Sequence, residues 1–128
     1  MKTTLWALAI FSIFYGVQAQ SSTLLERTKL ALKAGNAKSL STLFAPKVQI
    51  GFDGEADLIS AKQAEIKIEN FFKGQTPTQL ESLFQGLSKD GKQYFIGKLT
   101  TKTTCYRVSI YWTEAPTSAI QSVDFSME

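Results

Sequence analysis

Histidine is absent from this chain, and cysteine and proline are scarce. The 128 residues include no histidine, one cysteine and three prolines. Without histidine, the Asp–His pairing that many enzymes use to move protons at neutral pH cannot form. The lone thiol, Cys105, has no partner for an internal disulfide and lacks the histidine that would usually activate it as a nucleophile. We therefore expect a protein that is not an enzyme, and we assign no catalytic residue.

Runs of basic residues are missing as well. The chain has 14 Lys and Arg residues against 11 Asp and Glu residues, which gives a net charge of +3. These basic residues are scattered along the sequence, whereas a nucleic-acid-binding domain concentrates them in a patch or stripe. The sequence therefore predicts no nucleic-acid partner.

The one long apolar run lies at the N-terminus and is too short to cross a bilayer. Lys2 precedes an apolar stretch from Leu5 to Val17, and Val17-Gln18-Ala19 has the small-x-small pattern that signal peptidase cleaves. About 13 apolar residues suit a signal peptide, because a transmembrane helix needs about 20. The sequence predicts a signal peptide over residues 1–19, cleavage after Ala19, and a secreted or periplasmic product with no stable membrane insertion. Residues 20–128 would then form a single domain.

Helix signals occupy the first part of this domain. Thr23-x-x-Glu26 has the pattern of a capping box, and Gly35-Asn36 is a plausible helix stop. A shorter second helix is expected to end at Pro46 and to carry Ala37, Leu40, Leu43 and Phe44. Ser60-x-x-Gln63, a second capping box, begins a third helix that ends at Gly74. The apolar stripe of this third helix consists of Ala61, Ala64, Ile68, Phe71 and Phe72.

Alternating apolar residues predict strands on both sides of the third helix. Val48, Ile50 and Phe52 alternate up to Asp53-Gly54, a dipeptide preferred in two-residue hairpin turns, and a second strand runs to about Ile59. Four more strands are expected at about 78–88, 93–101, 104–113 and 119–127, joined by short turns. The order α-α-β-β-α-β-β-β-β predicts an α+β domain in which a curved antiparallel sheet of about six strands covers the helices.

The stretch YFIGKLTTKTTCYRVSIYW, residues 94–112, predicts a hairpin with two unlike faces. If its turn is centred on Lys102-Thr103, one face pairs Phe95 with Ile110, Gly97 with Val108 and Leu99 with Tyr106. This apolar face should pack on the helices, with Gly97 leaving room for a bulky neighbour such as Phe71 or marking a bend. A longer loop would change the pairs, because TKTT lacks the glycine or asparagine that two-residue turns prefer.

The opposite face of this hairpin has the composition of an interface, with Tyr94, Ile96, Lys98, Arg107 and Tyr111. Lys98 and Arg107 would repel each other unless an acid from a neighbouring strand, Glu81 or Asp124, lies between them. Asp124 itself is expected to point outward with Ile120, Ser122 and Ser126. Asp53, Glu55 and Asp57 are interpreted as a solvated hairpin tip, not a calcium site. No metal and no cofactor are predicted.

Three stretches carry a resemblance to a known family: ALKAGNAKSLSTLFAPKVQI, SAKQAEIKIENFFKGQTP and FQGLSKDGKQYFIGKLTTKTTCYRVSIYW. They resemble the small secreted bacterial proteins grouped as domain of unknown function 4783, and the element order resembles the nuclear transport factor 2-like (cystatin-like) fold. The most distinctive motif, G-x-S-x-x-G-x-x-Y-x-I-G-x-L-T-T, starts at Gly86. The family often has histidine just before it, where this chain has Gln85. The resemblance implies a cone-shaped domain and a secreted location, and it implies no reaction. Domains of this fold often dimerise through the outer face of the sheet.

Three functional hypotheses follow. The leading one is a non-enzymatic module that binds a small apolar or amphipathic ligand in the cone, near Phe71, Phe72, Gln85 and Tyr94, or that forms a homodimer or binds another protein through its sheet face. The alternative is an isomerase- or lyase-type enzyme with Tyr94, Asp124 or Glu81 as acid and base. The third is a structural dimer with a filled cone. Plugging of the cone by Phe44, Phe71, Phe72 and Phe95 would argue against both the ligand and the enzyme.

Overall fold

A computed structural model describes residues 23–114 and 117–128. The predicted signal peptide and its cleavage site lie outside the described residues. The helices, in chain order, are α1 (Thr23–Ala34), α2 (Ala37–Ser41) and α3 (Ala61–Gly74), and the strands are β1 (Phe44–Phe52), β2 (Glu55–Ser60), β3 (Pro77–Leu87), β4 (Gln93–Thr101), β5 (Cys105–Thr113) and β6 (Ala119–Met127). Within these described ranges, no helix is both long and apolar enough to cross a membrane.

All six strands form one sheet in the order β2-β1-β6-β5-β4-β3. Neighbouring strands run antiparallel except β1 and β6, which are parallel and join the two ends of the domain. The α+β class and the six-stranded sheet agree with the prediction, while the parallel pair was not foreseen. We call the side of the sheet that packs on the helices the inner face, and the other side the outer face.

The predicted end of α1 and the predicted bounds of α3 agree with the structure. Gly35 ends α1 in the left-handed conformation, with a φ of 65°, and Asn36 caps α2 by accepting a hydrogen bond from the Ser39 N–H at 3.0 Å. Glycine takes up such a φ without steric cost, which explains the stop at this position. Ser60 and Gln63 form the predicted capping box at the start of α3.

The predicted end of the second helix was wrong. Helix α2 ends at Ser41, and Phe44 already belongs to β1. The reason is a strand contact: the Leu43 carbonyl accepts a hydrogen bond from the Ile120 N–H at 2.8 Å, which fixes the chain beside β6. Pro46 lies inside β1, where the pairing with β6 is interrupted between Phe44 and Gln49, so its missing N–H leaves no ladder bond unmade.

The core forms where the apolar stripe of α3 meets the inner face of the sheet. Ala64, Ile68 and Phe72 are buried, as the stripe predicts. Around them the aromatic rings pack closely: Phe71 lies 4.7 Å from Phe125 and 5.0 Å from Tyr106 between ring centroids. Phe44 and Phe95 are buried in the same cluster. Aromatic side chains therefore fill the interior of the cone.

Strand β6 departs from simple alternation. Tyr111 pairs with Ser122 whereas Trp112 pairs with Ile120, so Gln121 is an extra residue in β6. This bulge turns Ile120 into the core, where it is fully buried, together with Val123 and Phe125. The prediction that Ile120 shares the outer face with Asp124 was wrong for this reason.

Candidate functional site

The β4–β5 hairpin has the predicted register. Phe95 pairs with Ile110, Gly97 with Val108 and Leu99 with Tyr106, all on the inner face. The turn between β4 and β5 contains no glycine, and a threonine hydroxyl forms hydrogen bonds with its backbone instead. The Thr101 N–H donates to the Thr104 carbonyl at 2.8 Å, and the Thr101 Oγ1 accepts from the Thr104 N–H at 3.1 Å. The hydroxyl of Thr101 also donates to Gln75 Oε1, at 2.8 Å, which ties the turn to the end of α3.

Gly97 makes room for a neighbour other than the one expected. A Cβ atom at this position would lie 2.8 Å from Phe95 Cζ and 3.0 Å from the Glu81 carbonyl oxygen. The ring that occupies this space is therefore Phe95, two residues earlier on the same strand, and not Phe71. Beside Gly97, Leu83 is an extra residue in β3, and this bulge marks a bend in the sheet.

The outer face brings together the five residues predicted as an interface. Tyr94 lies opposite Tyr111, with ring centroids 6.0 Å apart, and Ile96 lies beside them. The structure adds Phe84, which pairs with Ile96 across β3 and β4 and is 58% exposed. Simple alternation along β3 places Phe84 on the inner face, and only the Leu83 bulge moves it outward. We call Phe84, Tyr94, Ile96 and Tyr111 the aromatic patch.

Charged residues of both signs border the aromatic patch. Lys98 lies opposite Arg107 on one side and opposite Glu81 on the other. Arg107 pairs with Glu128, with 3.5 Å between Nε and Oε2. Glu128 is therefore the acid that pairs with Arg107, while Glu81, one of the two predicted acids, lies opposite Lys98. The sequence pattern did not indicate Glu128, because it reaches Arg107 only through a backbone hydrogen bond of the chain end to the Cys105 carbonyl, 3.1 Å long.

Asp124 lies on the outer face, where it pairs with Ser109 of β5. Its Oδ2 accepts a hydrogen bond from Ser126 Oγ at 3.0 Å, and its Oδ1 packs directly over Gly51 of β1. Gly51 has no side chain, which leaves the space that the carboxylate occupies. These contacts give Asp124 a packing role between two strands.

The four residues predicted to bind a ligand do not come together. Phe72 is buried in the core, and Phe71 is half-buried beside it. Gln85 is exposed on the edge strand β3, opposite Phe95, whereas Tyr94 points to the outer face. Since successive side chains of a strand point to opposite sides, Tyr94 cannot share a pocket with the inner-face aromatics.

Two acidic residues at the tip of the β1–β2 hairpin contact other parts of the protein. Asp53 and Gly54 both have positive φ, of 51° and 90°, which is the two-residue turn that the sequence predicts. Asp53 Oδ1 accepts a hydrogen bond from the Met127 N–H at 2.7 Å, and Asp57 pairs with Lys67 at 3.0 Å. Across residues 23–114 and 117–128, no group of three Cys, Asp or Glu side chains is placed to hold a metal ion.

Among the residues that the structure describes, two titratable groups have a clearly shifted pKa. Burial in the core raises the pKa of the Tyr106 hydroxyl above its ordinary value, and the nearby charge of Asp53 adds to this effect. The hydrogen bond from Ser88 Oγ lowers the pKa of the Asp90 carboxyl in the exposed β3–β4 turn. Neither group lies in the aromatic patch.

This chain is similar to one protein family and to solved structures of that family. The model of domain of unknown function DUF4783 matches residues 25–126. A DUF4783 family protein from Bacteroides ovatus has a TM-score of 0.74 and 21% identity, covering 80% of this chain and 93% of its own. A DUF4783 family protein from Bacteroides uniformis has a TM-score of 0.74 and 21% identity, covering 80% of this chain and 95% of its own.

A more distant likeness supports the fold class. An NTF2-like protein of unknown function from Cytophaga hutchinsonii has a TM-score of 0.59 at 8% identity, over 82% of this chain and 87% of its own. No curated protein matches the chain significantly. At such low identity the solved structures establish the nuclear transport factor 2-like fold alone. The family match over most of the chain goes further: this protein belongs to the DUF4783 family.

Proposed function

We propose that the protein is a secreted or periplasmic, non-enzymatic module that pairs with a second copy of itself through the outer face of its sheet. The aromatic patch carries this proposal. It presents two tyrosines, an isoleucine and a largely exposed phenylalanine on three adjacent strands. Aromatic residues are enriched at the centre of protein interfaces, because they bury much area at a low entropic cost.

The border of the patch suits a two-fold symmetric pair. In such a dimer the same surface of both copies is in contact. The surface therefore needs charges of both signs, so that opposite charges can meet across the interface. Lys98 and Arg107 supply the positive charges, and Glu81 and Glu128 supply the negative ones. Because these charges also cancel within one copy, two copies can meet face to face without net repulsion. A second copy is therefore the partner that fits this charge pattern.

The enzyme alternative lacks support from the interior. An isomerase or lyase of this fold needs an open cone with an acid and a base inside. Phe72 and Phe95 are buried in the core, and the Phe71 ring contacts Phe125. The three residues of this alternative, Tyr94, Asp124 and Glu81, all lie on the outer face.

Sedimentation equilibrium of matched variants tests the dimer. Ile96→Glu places a charge in the centre of the aromatic patch, and we expect it to raise the dimer dissociation constant by at least about tenfold, since a buried unpaired charge is costly at an interface. Ile66→Glu is the control, because Ile66 is half exposed on α3, away from the sheet. A wild-type protein that is monomeric at tens of micromolar, or equal effects of the two variants, would contradict the proposal.

Secretion has an independent test. We expect the protein purified from culture medium or periplasm to begin at Gln20, which N-terminal sequencing determines. Recovery from the cytoplasm with the first 19 residues intact would contradict this part of the proposal and leave the dimer unaffected.

A further inference from the structure

An open groove runs between α1 and α2, on the helical side of the molecule. Its larger part has a volume of about 620 Å³. A smaller cavity of about 280 Å³ adjoins it, and the two share Arg27, Thr42 and Leu43. The larger volume falls within the range of small-molecule sites, about 300–1,000 Å³. None of its lining residues belongs to the outer face, so this groove is separate from the proposed dimer surface.

The floor of the groove is apolar although it faces solvent. Helix α1 buries Leu25, Thr28 and Leu32 in the core, and it turns Leu30 and Ala34 toward the groove. Leu30 is 67% exposed. Leu43, which follows α2, extends the apolar surface into both cavities. A ligand with an alkyl chain would remove this surface from water, which stabilises the complex in proportion to the area buried.

The groove also holds two basic side chains without acidic partners. Arg27 and Lys38 both line the larger part, and neither forms an ion pair with any residue in the described part of the chain. The one acid of α1, Glu26, pairs with Lys29 instead, at 3.5 Å. Glu114 lines only the smaller cavity. A negative head group is therefore favoured in the larger part and disfavoured at the Glu114 end.

We propose that this groove binds a single amphiphile with an anionic head, of the fatty-acid type. Its carboxylate would lie between Arg27 and Lys38, because a guanidinium binds a carboxylate through two parallel hydrogen bonds. Its alkyl chain would lie on Leu30, Ala34 and Leu43. The proposal concerns a site distinct from the outer face, and it holds whether or not the protein dimerises.

Titration of the purified protein with sodium dodecanoate below its micelle concentration tests the site. We expect shifts of amide resonances concentrated at Leu30, Ser39 and Leu43, with a dissociation constant of about 0.1–1 mM. Acetate has the head without the chain and should not bind. Dodecyltrimethylammonium has the chain with the opposite charge and should bind at least about tenfold more weakly.

Paired charge reversals separate this site from general electrostatic attraction. Arg27→Glu/Lys38→Glu should weaken dodecanoate binding by at least about tenfold. Lys89→Glu/Lys102→Glu makes the same change of net charge in two hairpin turns that do not line the groove, and it should leave the affinity within about twofold. Leu30→Asp removes the main apolar contact and serves as a second disruptive variant if the double variant does not fold.

Three results would overturn the proposal. The first is the absence of dodecanoate binding. The second is binding that shifts resonances of the aromatic patch and not those of Leu30 and Leu43. The third is equal weakening by the groove and control double variants.

Discussion

The two faces of the β4–β5 hairpin place side chains of the same strands in opposite environments. On the inner face Phe95, Leu99, Val108 and Ile110 are all 0% exposed. On the outer face Tyr94, Ile96 and Tyr111 remain partly exposed beside charged residues. Because alternate residues of a strand point to opposite sides, one backbone supplies both a buried wall and an exposed surface. Inner-face residues should control stability, and outer-face residues should control association.

The largest expected difference between the faces is the loss in free energy of unfolding when an aromatic ring is removed. Phe125→Ala deletes a fully buried ring that contacts Phe52, Phe71 and Phe72, and it should lower the free energy of unfolding by about 3–5 kcal/mol. Phe84→Ala, on the outer face, should cost less than about 1 kcal/mol in the monomer. Urea unfolding of both variants measures the contrast. Similar losses in the two variants would show that the faces do not differ as described.

Two glycines on opposite faces should differ in the stability lost when each is replaced by alanine. At Gly97 an added Cβ meets the buried Phe95 ring and the rigid Glu81 carbonyl, so Gly97→Ala should cost about 1–3 kcal/mol. At Gly86 the added Cβ meets Tyr94, 3.0 Å from its hydroxyl oxygen, but this outer-face ring can swing into solvent. Gly86→Ala should therefore cost less than about 1 kcal/mol. Thermal or urea unfolding decides the order, and the reverse order would contradict the account of Gly97.

The buried hydroxyl of Tyr106 on the inner face allows a test by pH. Because burial raises the pKa of Tyr106, its hydroxyl stays protonated in the folded protein at a pH where it ionises in the unfolded chain. The unfolded state then binds fewer protons, so stability is intact below pH of about 10 and falls as the pH rises above it. Tyr106→Phe should reduce this alkaline loss. An identical pH profile for wild type and Tyr106→Phe, obtained from urea midpoints between pH 8 and pH 11, would exclude Tyr106 as the cause.

The smallest expected effect on stability concerns the border of the aromatic patch. Arg107 and Glu128 form a partly exposed ion pair at 3.5 Å, and such pairs contribute about 0–1 kcal/mol. Arg107→Glu should therefore leave the unfolding free energy nearly unchanged while weakening the dimer. Urea unfolding and light scattering on the same samples measure both effects. A large loss of stability with an unchanged molecular mass would assign Arg107 to the fold and not to association.

Much of the fold could be predicted because its signals are local. Alternation along β4 and β5 determines which residues share a face, and the Asp53-Gly54 turn and the Ser60 capping box depend on residues close in sequence. The predictions were wrong for residues whose position or orientation depends on strands that are distant in sequence. The Gln121 bulge turns Ile120 inward, the Leu83 bulge turns Phe84 outward, and a hydrogen bond from Ile120 draws Leu43 out of the helix.

The sites were harder to predict than the fold for the same reason. Five residues of the outer face follow from alternation in one hairpin, but Phe84 and Glu128 join them only through neighbouring strands and the folded chain end. The α1–α2 groove combines residues from two helices whose relative placement no sequence period defines. Arg27 and Lys38 carry no pattern that would single them out, and their shared cavity becomes visible only once the helices are packed.

The most direct test of the outer face as a dimer interface is an isotope-filtered NOE experiment on a mixture of labelled and unlabelled protein. We expect intermolecular contacts between the Ile96 methyl groups of one copy and the Tyr94 or Tyr111 ring of the other. Ile66 methyl groups on α3 should show none. The absence of intermolecular contacts at Ile96, or contacts centred on Leu30 and Leu43 instead, would contradict dimerisation through the outer face.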